Sequence, residues 1–143
     1  MKMKSLVLLT AVLFMGCNQK GGVESAPTGP AGGIQWVNSL SDGLRASAES
    51  SKPVMVDFYA EWCGWCKKLD KETYSDKKIV ALSEKFINVK VDTDKNPQDA
   101  RKYGVNGLPT IVFLDKDGNV IQTVVGYREA GDFEGVMSEV LKK

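Results

Sequence analysis

The chain has 143 residues, of which 43% are hydrophobic and 26% charged, enough for one globular domain with a core and an additional segment. Its 19 basic and 18 acidic residues give a formal net charge of +1, which does not favour binding to nucleic acid. The absence of histidine excludes Ser-His and Cys-His nucleophilic catalysis and histidine-ligated metal sites, so the chemistry has to come from thiols and carboxylates.

The N-terminal segment has the pattern of a bacterial lipoprotein leader. Two lysines precede an apolar run over residues 6–15, which is too short to span a bilayer but has the length of a signal-peptide core. Residues 14–17 resemble the lipobox of bacterial lipoproteins, with Phe14 where that family usually has leucine. This resemblance implies that residues 1–16 are removed and that Cys17 is lipidated. The alternative is an ordinary secretory signal cleaved nearby, which would leave Cys17 as a free thiol.

A linker follows the leader. Residues 18–33 are rich in Gly, Ser, Ala and Pro and have almost no large apolar side chains, a composition typical of a flexible tether. The lipidated cysteine and this linker form a predicted segment over residues 17–33, and a folded domain follows over residues 34–143. We expect a monomer that is lipid-anchored to a membrane of the bacterial periplasm or cell envelope.

The folded part has a regular succession of predicted elements. In chain order these are strand 34–37, helix 40–48, strand 54–60, helix 63–73, a helix ending near 85, strand 86–91, helix 97–103, strands 110–114 and 120–125, and a helix over 133–141. Ser39 or Ser41 is expected to cap the first helix and Ser75 the third. The turn-rich residues 115–119 make the last two strands an antiparallel hairpin. A mixed central sheet with helices on both faces, an α/β fold, would bury the apolar side of each element.

Cys63 and Cys66 lie where the strand of residues 54–60 meets a helix. The first turn of a helix has unpaired N–H groups and the positive end of the dipole, both of which stabilise a thiolate at Cys63. Two intervening residues let both sulfurs share that turn and form a small disulfide ring. We therefore expect Cys63 to be the attacking thiol and Cys66 the resolving one. With Cys17 as the anchor, no cysteine is left for a structural disulfide.

The motif and its surroundings resemble thioredoxin. The matching stretches are residues 56–67, VDFYAEWCGWCK, followed in order and at the expected separations by residues 90–92, 103–105, 107–110 and 125–126. Residues 52–54 and 67–76 are most similar to the C-terminal periplasmic domain of the membrane thiol:disulfide interchange protein. The resemblance implies a thioredoxin fold and a thiol–disulfide oxidoreductase whose only redox group is its own cysteine pair, with no metal or other cofactor.

The resemblance also implies roles for side chains behind the motif. Asp57 matches the buried acid of the family, which takes a proton from Cys66 as that thiol attacks, and Lys90 matches the lysine that modulates this acid. The alternative for Asp57 is a solvated strand end. Asp70 lies four residues after Cys66 on the same helical face, so its charge could raise the pKa of the thiols, unless it is a solvated surface carboxylate.

The expected partner-binding surface lies around the cysteines. Pro109 matches the cis-proline of the family, whose loop offers the backbone of Leu108 to an extended substrate, and a trans turn proline is the alternative. Trp62 and Gly64 match positions on the same surface. Trp65 stands where thioredoxins usually have proline. The dipeptide between the two cysteines, here Gly64-Trp65, helps to set the reduction potential. This difference leaves the direction of electron flow open.

Three functions compete for this pattern. The first is a tethered reductase of partner protein disulfides outside the cytoplasm, supplied with electrons by a membrane donor. It is favoured by Asp57 and by the absence of the histidine found in several oxidising relatives. The second is an oxidase or isomerase of the same fold, favoured by the oxidising compartment. The third is a non-enzymatic module that binds a soft metal such as Cu(I), or binds a partner protein and has a structural disulfide. Two thiols alone would make a weak metal site.

Overall fold

The structure is a computed structural model that describes residues 32–143. The predicted leader, the Cys17 anchor and nearly all of the linker lie outside these residues. The elements are β1 (Trp36–Val37), α1 (Leu40–Ser50), β2 (Val54–Tyr59), α2 (Gly64–Lys68), a π-helical turn (Leu69–Thr73), α3 (Lys77–Ser83), β3 (Ile87–Asp92), α4 (Pro97–Lys102), β4 (Thr110–Leu114), β5 (Val120–Val125) and α5 (Ala130–Val140).

The strands form one mixed sheet in the order β1-β3-β2-β4-β5. β1, β3 and β2 are parallel to one another, whereas β4 pairs antiparallel with both β2 and β5. The antiparallel hairpin and the α/β class expected from the sequence are both confirmed. β2 is the central strand, and the chain leaves its carboxyl end directly into the cysteine motif.

Side chains of β2 point alternately to the two faces of the sheet, and most of them are apolar. Helices cover both faces and bury these side chains in two layers. Val54, Val56 and Phe58 pack in one layer with Leu40 of α1 and Ala100 of α4.

The opposite layer is formed by Met55 together with Ile79 of α3 and with Phe133 and Met137 of α5. Asp57 follows Met55 by two residues and therefore points to the same face of the strand. Its carboxyl lies on the α3 and α5 side of the sheet.

The helix caps agree with the sequence at one helix and differ at another. Ser39 caps α1, as expected, by accepting a hydrogen bond from the Asp42 backbone N–H at 3.3 Å. Asp76, not Ser75, caps α3, since its Oδ1 accepts from the backbone N–H of Lys78 at 2.8 Å. The Ser75 prediction is wrong because the Ser75 hydroxyl donates back to the Lys71 carbonyl, at 2.6 Å, and the cap position is taken by the next residue.

The predicted helix over residues 63–73 is not a uniform α-helix. After α2 it widens into the π-helical turn, in which the Tyr74 N–H donates to the Leu69 carbonyl, five residues back, at 3.0 Å. Leu69 and Thr73 are buried by this turn, and the Thr73 hydroxyl donates to the Arg128 carbonyl at 2.6 Å. A π-helical turn inside a helix often marks a functional site.

Candidate active site

Cys63 and Cys66 are joined by a disulfide bond at the start of α2. Their Cα atoms are 5.3 Å apart, and both residues are buried. Cys63 is the N-cap of α2, and its Sγ accepts a hydrogen bond from the Cys66 backbone N–H at 3.1 Å. The same N–H would stabilise a Cys63 thiolate once the disulfide is reduced. The expected position at a strand-to-helix junction is therefore present.

Asp57 lies in the middle of β2 with only 1% of its surface exposed. Its Oδ2 is 3.3 Å from the Lys90 ammonium, and its Oδ1 has no hydrogen-bond partner among residues 32–143. Burial raises the pKa of Asp57 to about 6, although the charge of Lys90 acts in the opposite direction. Asp57 is therefore a buried acid, as expected, and not a solvated strand end.

Lys90 lies on β3 opposite Asp57 in the parallel register. Its Nζ is 2.6 Å from Oδ1 of Asp70 and lies above the rings of Tyr59 and Trp36, at 4.6 and 5.4 Å from their centroids. Burial disfavours the ammonium, but the negative charges of Asp57 and Asp70 outweigh this effect and raise the Lys90 pKa. Lys90 is thus a charged side chain held between two carboxylates.

Asp70 has a partner that the sequence did not indicate. It lies in the π-helical turn with 44% of its side chain exposed, and its ion pair is with Lys90. Neither the turn nor this contact could be read from the spacing to Cys66.

The loop before β4 lies against the disulfide. The Leu108–Pro109 peptide bond is cis, as the resemblance implied, so the trans alternative is excluded. The Leu108 side chain packs on the small cluster that contains both cysteines. The Pro109 carbonyl accepts a hydrogen bond from the Gly126 N–H at 2.8 Å, which fixes the loop to the end of β5.

Two tryptophans beside the disulfide are highly exposed. Trp62 is 70% exposed, and its Nε1 donates to Oδ2 of Asp94 at 2.9 Å. Trp65 is 59% exposed and follows Gly64, the exposed first residue of α2. Val125, 58% exposed, lies next to Gly126 and so adds a third apolar side chain near the proline loop. These three side chains provide accessible apolar surface at the residues that flank the cysteine motif and the proline loop.

Trp65 is held by residues that the sequence analysis missed. Its ring lies 5.8 Å from that of Tyr127, and the Lys68 ammonium is over both rings, at 5.3 and 4.7 Å. The Tyr127 hydroxyl donates to Oε2 of Glu72 at 2.7 Å. Lys68 and Glu72 follow Trp65 at helical spacing and could have been suspected, whereas Tyr127 is distant in sequence and gives no such signal.

Neither a metal cluster nor a membrane span was found in the part of the chain that the structure describes. Residues 32–143 contain no group of three or more Cys, Asp or Glu side chains arranged to hold a metal ion. No helix among these residues is long and apolar enough to cross a bilayer.

Comparison with known proteins identifies the family. The protein-family model of the thioredoxin-like domain matches residues 40–141 of the chain. The chain belongs to the thioredoxin-like domain family. This thioredoxin-like chain is 36% identical over 106 residues to the thiol:disulfide interchange protein DsbD of Vibrio vulnificus (strain CMCP6), covering 70% of this chain and 18% of that protein. It is 33% identical over 144 residues to DsbD of Yersinia pestis (strain Pestoides F), and this match covers 90% of this chain and 23% of that protein. It therefore spans about a fifth of the length of these curated relatives.

Solved structures confirm the thioredoxin fold. A thioredoxin from Thermus thermophilus has a TM-score of 0.69 at 26% identity, covering 76% of this thioredoxin-like chain and 88% of that protein. The DsbH oxidoreductase has a TM-score of 0.69 at 22% identity, and the match covers 80% of this chain and 90% of that protein. This likeness shows only that the two proteins share a fold. Within this fold, a disulfide at the start of α2 supports thiol–disulfide oxidoreductase chemistry.

Proposed function

We propose that this chain is a membrane-tethered thiol–disulfide oxidoreductase that acts outside the cytoplasm and reduces disulfide bonds of partner proteins. The observation that carries the proposal is the buried Asp57, whose raised pKa makes it a base of suitable strength at neutral pH. A disulfide with a merely structural role would need neither this carboxyl nor the exposed apolar surface around the cysteines.

The proposed reaction begins with the reduced dithiol. The Cys63 thiolate attacks one sulfur of a partner disulfide, so that a mixed disulfide forms and the other partner sulfur leaves as a thiolate. Cys66 then gives its proton to Asp57, and the resulting thiolate attacks the Cys63 sulfur. The Cys63–Cys66 bond forms as the second partner sulfur leaves. Two electrons have passed to the partner, and a dithiol donor at the membrane has to reduce the pair again.

The partner would bind across the surface around the cysteines. Leu108 packs against the cluster that contains both cysteines, and its backbone would be the edge to which an extended partner chain adds as a strand. Trp62 and Trp65 are rigid aromatic contacts for residues next to the partner cysteine, because each is held by neighbouring side chains. Gly64 leaves the approach to Cys63 open, since a Cβ at this position would meet no atom within 4 Å.

Trapping of the mixed disulfide tests this proposal. Cys66→Ala removes the resolving thiol but leaves Cys63 able to attack, so partners should accumulate as covalent complexes that a reducing agent releases. Cys63→Ala is the matched control and should trap far less, because the backbone N–H that would stabilise a thiolate is directed at the sulfur of Cys63. The same yield of complexes from both variants, or none from Cys66→Ala, would refute the proposed roles.

A further inference from the structure

Lys90 divides its charge between two carboxylates that differ in distance and in exposure. Its Nζ is 2.6 Å from Oδ1 of Asp70, at the rim of the site, and 3.3 Å from Oδ2 of the fully buried Asp57. The shorter, charge-assisted hydrogen bond goes to Asp70. The second oxygen of Asp57, Oδ1, has no hydrogen-bond partner among residues 32–143. The buried acid is thus the less well paired of the two.

The surrounding residues restrict where the Lys90 ammonium can go. It lies above the rings of Tyr59, Trp36 and Tyr74, at 4.6, 5.4 and 5.9 Å from their centroids, and only 15% of the side chain is exposed. Aromatic faces of this kind hold a cation in place. The ammonium therefore has two anionic partners within reach, and the contact to one weakens the contact to the other.

The π-helical turn brings Asp70 to this position. Asp70 is the second residue of the turn, and the turn ends with the Tyr74 N–H bonded to the Leu69 carbonyl. Lys90 is in the middle of β3, directly opposite Asp57. One feature of the backbone thus places a second carboxylate next to the lysine that faces the buried acid.

We infer that Asp70 is a positioning residue that acts through Lys90: it holds the ammonium near the rim and leaves the Asp57 carboxyl free to take the proton of the Cys66 thiol. The proton transfer rests on the proposed function, whereas the sharing of Lys90 does not. The route differs from the one expected from the sequence, in which the charge of Asp70 would act on the thiols directly.

Two charged groups face Asp57, and the charge of Asp70 affects both of their contributions to its pKa. Lys90 approaches from β3 and lowers the Asp57 pKa, whereas Asp70 approaches from the π-helical turn and raises it. Tyr74, which follows that turn, presents a buried phenol whose own pKa is raised well above its usual value by burial, so it stays neutral. Loss of the Asp70 charge removes one repulsion and releases Lys90 toward Asp57, and both changes favour the ionised Asp57.

Titration of Asp57 tests the inference without any partner protein. In the oxidised full chain, the carboxyl carbon signal of Asp57 is followed by NMR against pH in the wild type and in Asp70→Asn. The midpoint should fall by about one pH unit in the variant. Glu72→Gln is a matched control, because Glu72 lies in the same turn with similar exposure but contacts Tyr127 and Lys68 instead. An unchanged midpoint in Asp70→Asn, or an equal shift in both variants, would overturn the inference.

A double-mutant cycle separates action through Lys90 from direct repulsion between the two carboxylates. Lys90→Met keeps an unbranched stem against the aromatic rings, and Lys90→Gln serves in its place if the methionine variant does not fold. In either background, Asp70→Asn should shift the Asp57 midpoint much less than it does in the wild type. A shift of the same size would show that Lys90 is not the intermediary.

The two claims can fail independently. If the Asp57 midpoint moves as expected but Cys66→Ala traps no partner, the sharing of Lys90 stands and the proposed function fails. If partners are trapped but the midpoint does not move, only the inference is overturned.

Discussion

Asp57 links the chemistry of the site to the stability of the fold. Its pKa of about 6 in the folded chain, against 3.8 as the ordinary value, means that the folded state binds the proton more tightly than the unfolded state. The contribution to stability is therefore fully present below about pH 4 and is lost as the pH rises through about 6. Carboxyls with a pKa raised by burial are concentrated at functional sites, which agrees with a role of Asp57 in the proposed reaction.

The pH dependence can be measured by comparison with an uncharged analogue. Asp57→Asn removes this titration, so the difference in unfolding free energy between variant and wild type should shift in favour of the variant by about 2 kcal/mol between pH 4 and pH 7. Urea denaturation of both oxidised proteins across this range gives the difference. A difference that is the same at every pH would show that Asp57 has an ordinary pKa in the folded chain.

Among the site residues, the sequence indicated those that belong to a contiguous motif. Cys63 and Cys66 were available from the motif, and the apolar neighbours of Asp57 indicated its burial, whereas the cis bond before Pro109 followed only from the resemblance to thioredoxin. The partner of Asp70 was not available, because it depends on a π-helical turn. The contact of Trp65 with a residue more than sixty positions away was equally invisible, since only the folded chain brings the two rings together.

At the scale of elements, hydrophobic periodicity was sufficient for the order and type of the strands and α-helices, with shifts of a few residues at their ends. The strand predicted over residues 86–91, for example, is Ile87–Asp92. Periodicity failed at the π-helical turn, since a choice between bonding four or five residues back depends on tertiary packing of the residues that follow. The cap of α3 was misassigned because serine and aspartate at adjacent positions are both good caps, and only the folded chain shows that the Ser75 hydroxyl bonds to the preceding turn.

The packing of α1 on the sheet depends on a glycine. A Cβ at Gly43 would lie inside contact distance of Cγ2 of Val89 on β3. Gly43→Ala should therefore destabilise the fold by about 1–3 kcal/mol through overpacking, even though alanine is the better helix former. Gly135→Ala in α5 is the matched control: it meets open space and should stabilise by about 0.5–1 kcal/mol. Denaturant midpoints of the two variants that move in the same direction would contradict the close approach of α1.

At the scale of the whole molecule, the proposal joins a redox domain to a membrane through residues 17–33. A linker of roughly 15 residues with this composition has an r.m.s. span of about 20 Å, enough to keep the domain near the bilayer without fixing its orientation. Such a tether would keep the domain close to both a membrane electron donor and its partners.

Lipidation of Cys17 is tested by fractionation. In a bacterial host that processes lipoproteins, the wild-type chain should sediment with membranes, and Cys17→Ser should move most of it to the soluble fraction. The variant keeps both redox cysteines, so its reductase activity in solution controls for folding. A Cys17→Ser protein that stays equally membrane-bound would refute the anchor.

The reduction potential of the Cys63–Cys66 pair tests the central claim most directly. It can be obtained by equilibrating the chain in thiol/disulfide buffers of known poise and following the fluorescence of Trp62 and Trp65, which lie next to the disulfide. A reductase requires a value near the thioredoxin end of the range, about −270 mV, and this is the result we predict. A value near −120 mV would make the protein an oxidant and would contradict the proposed direction of electron flow.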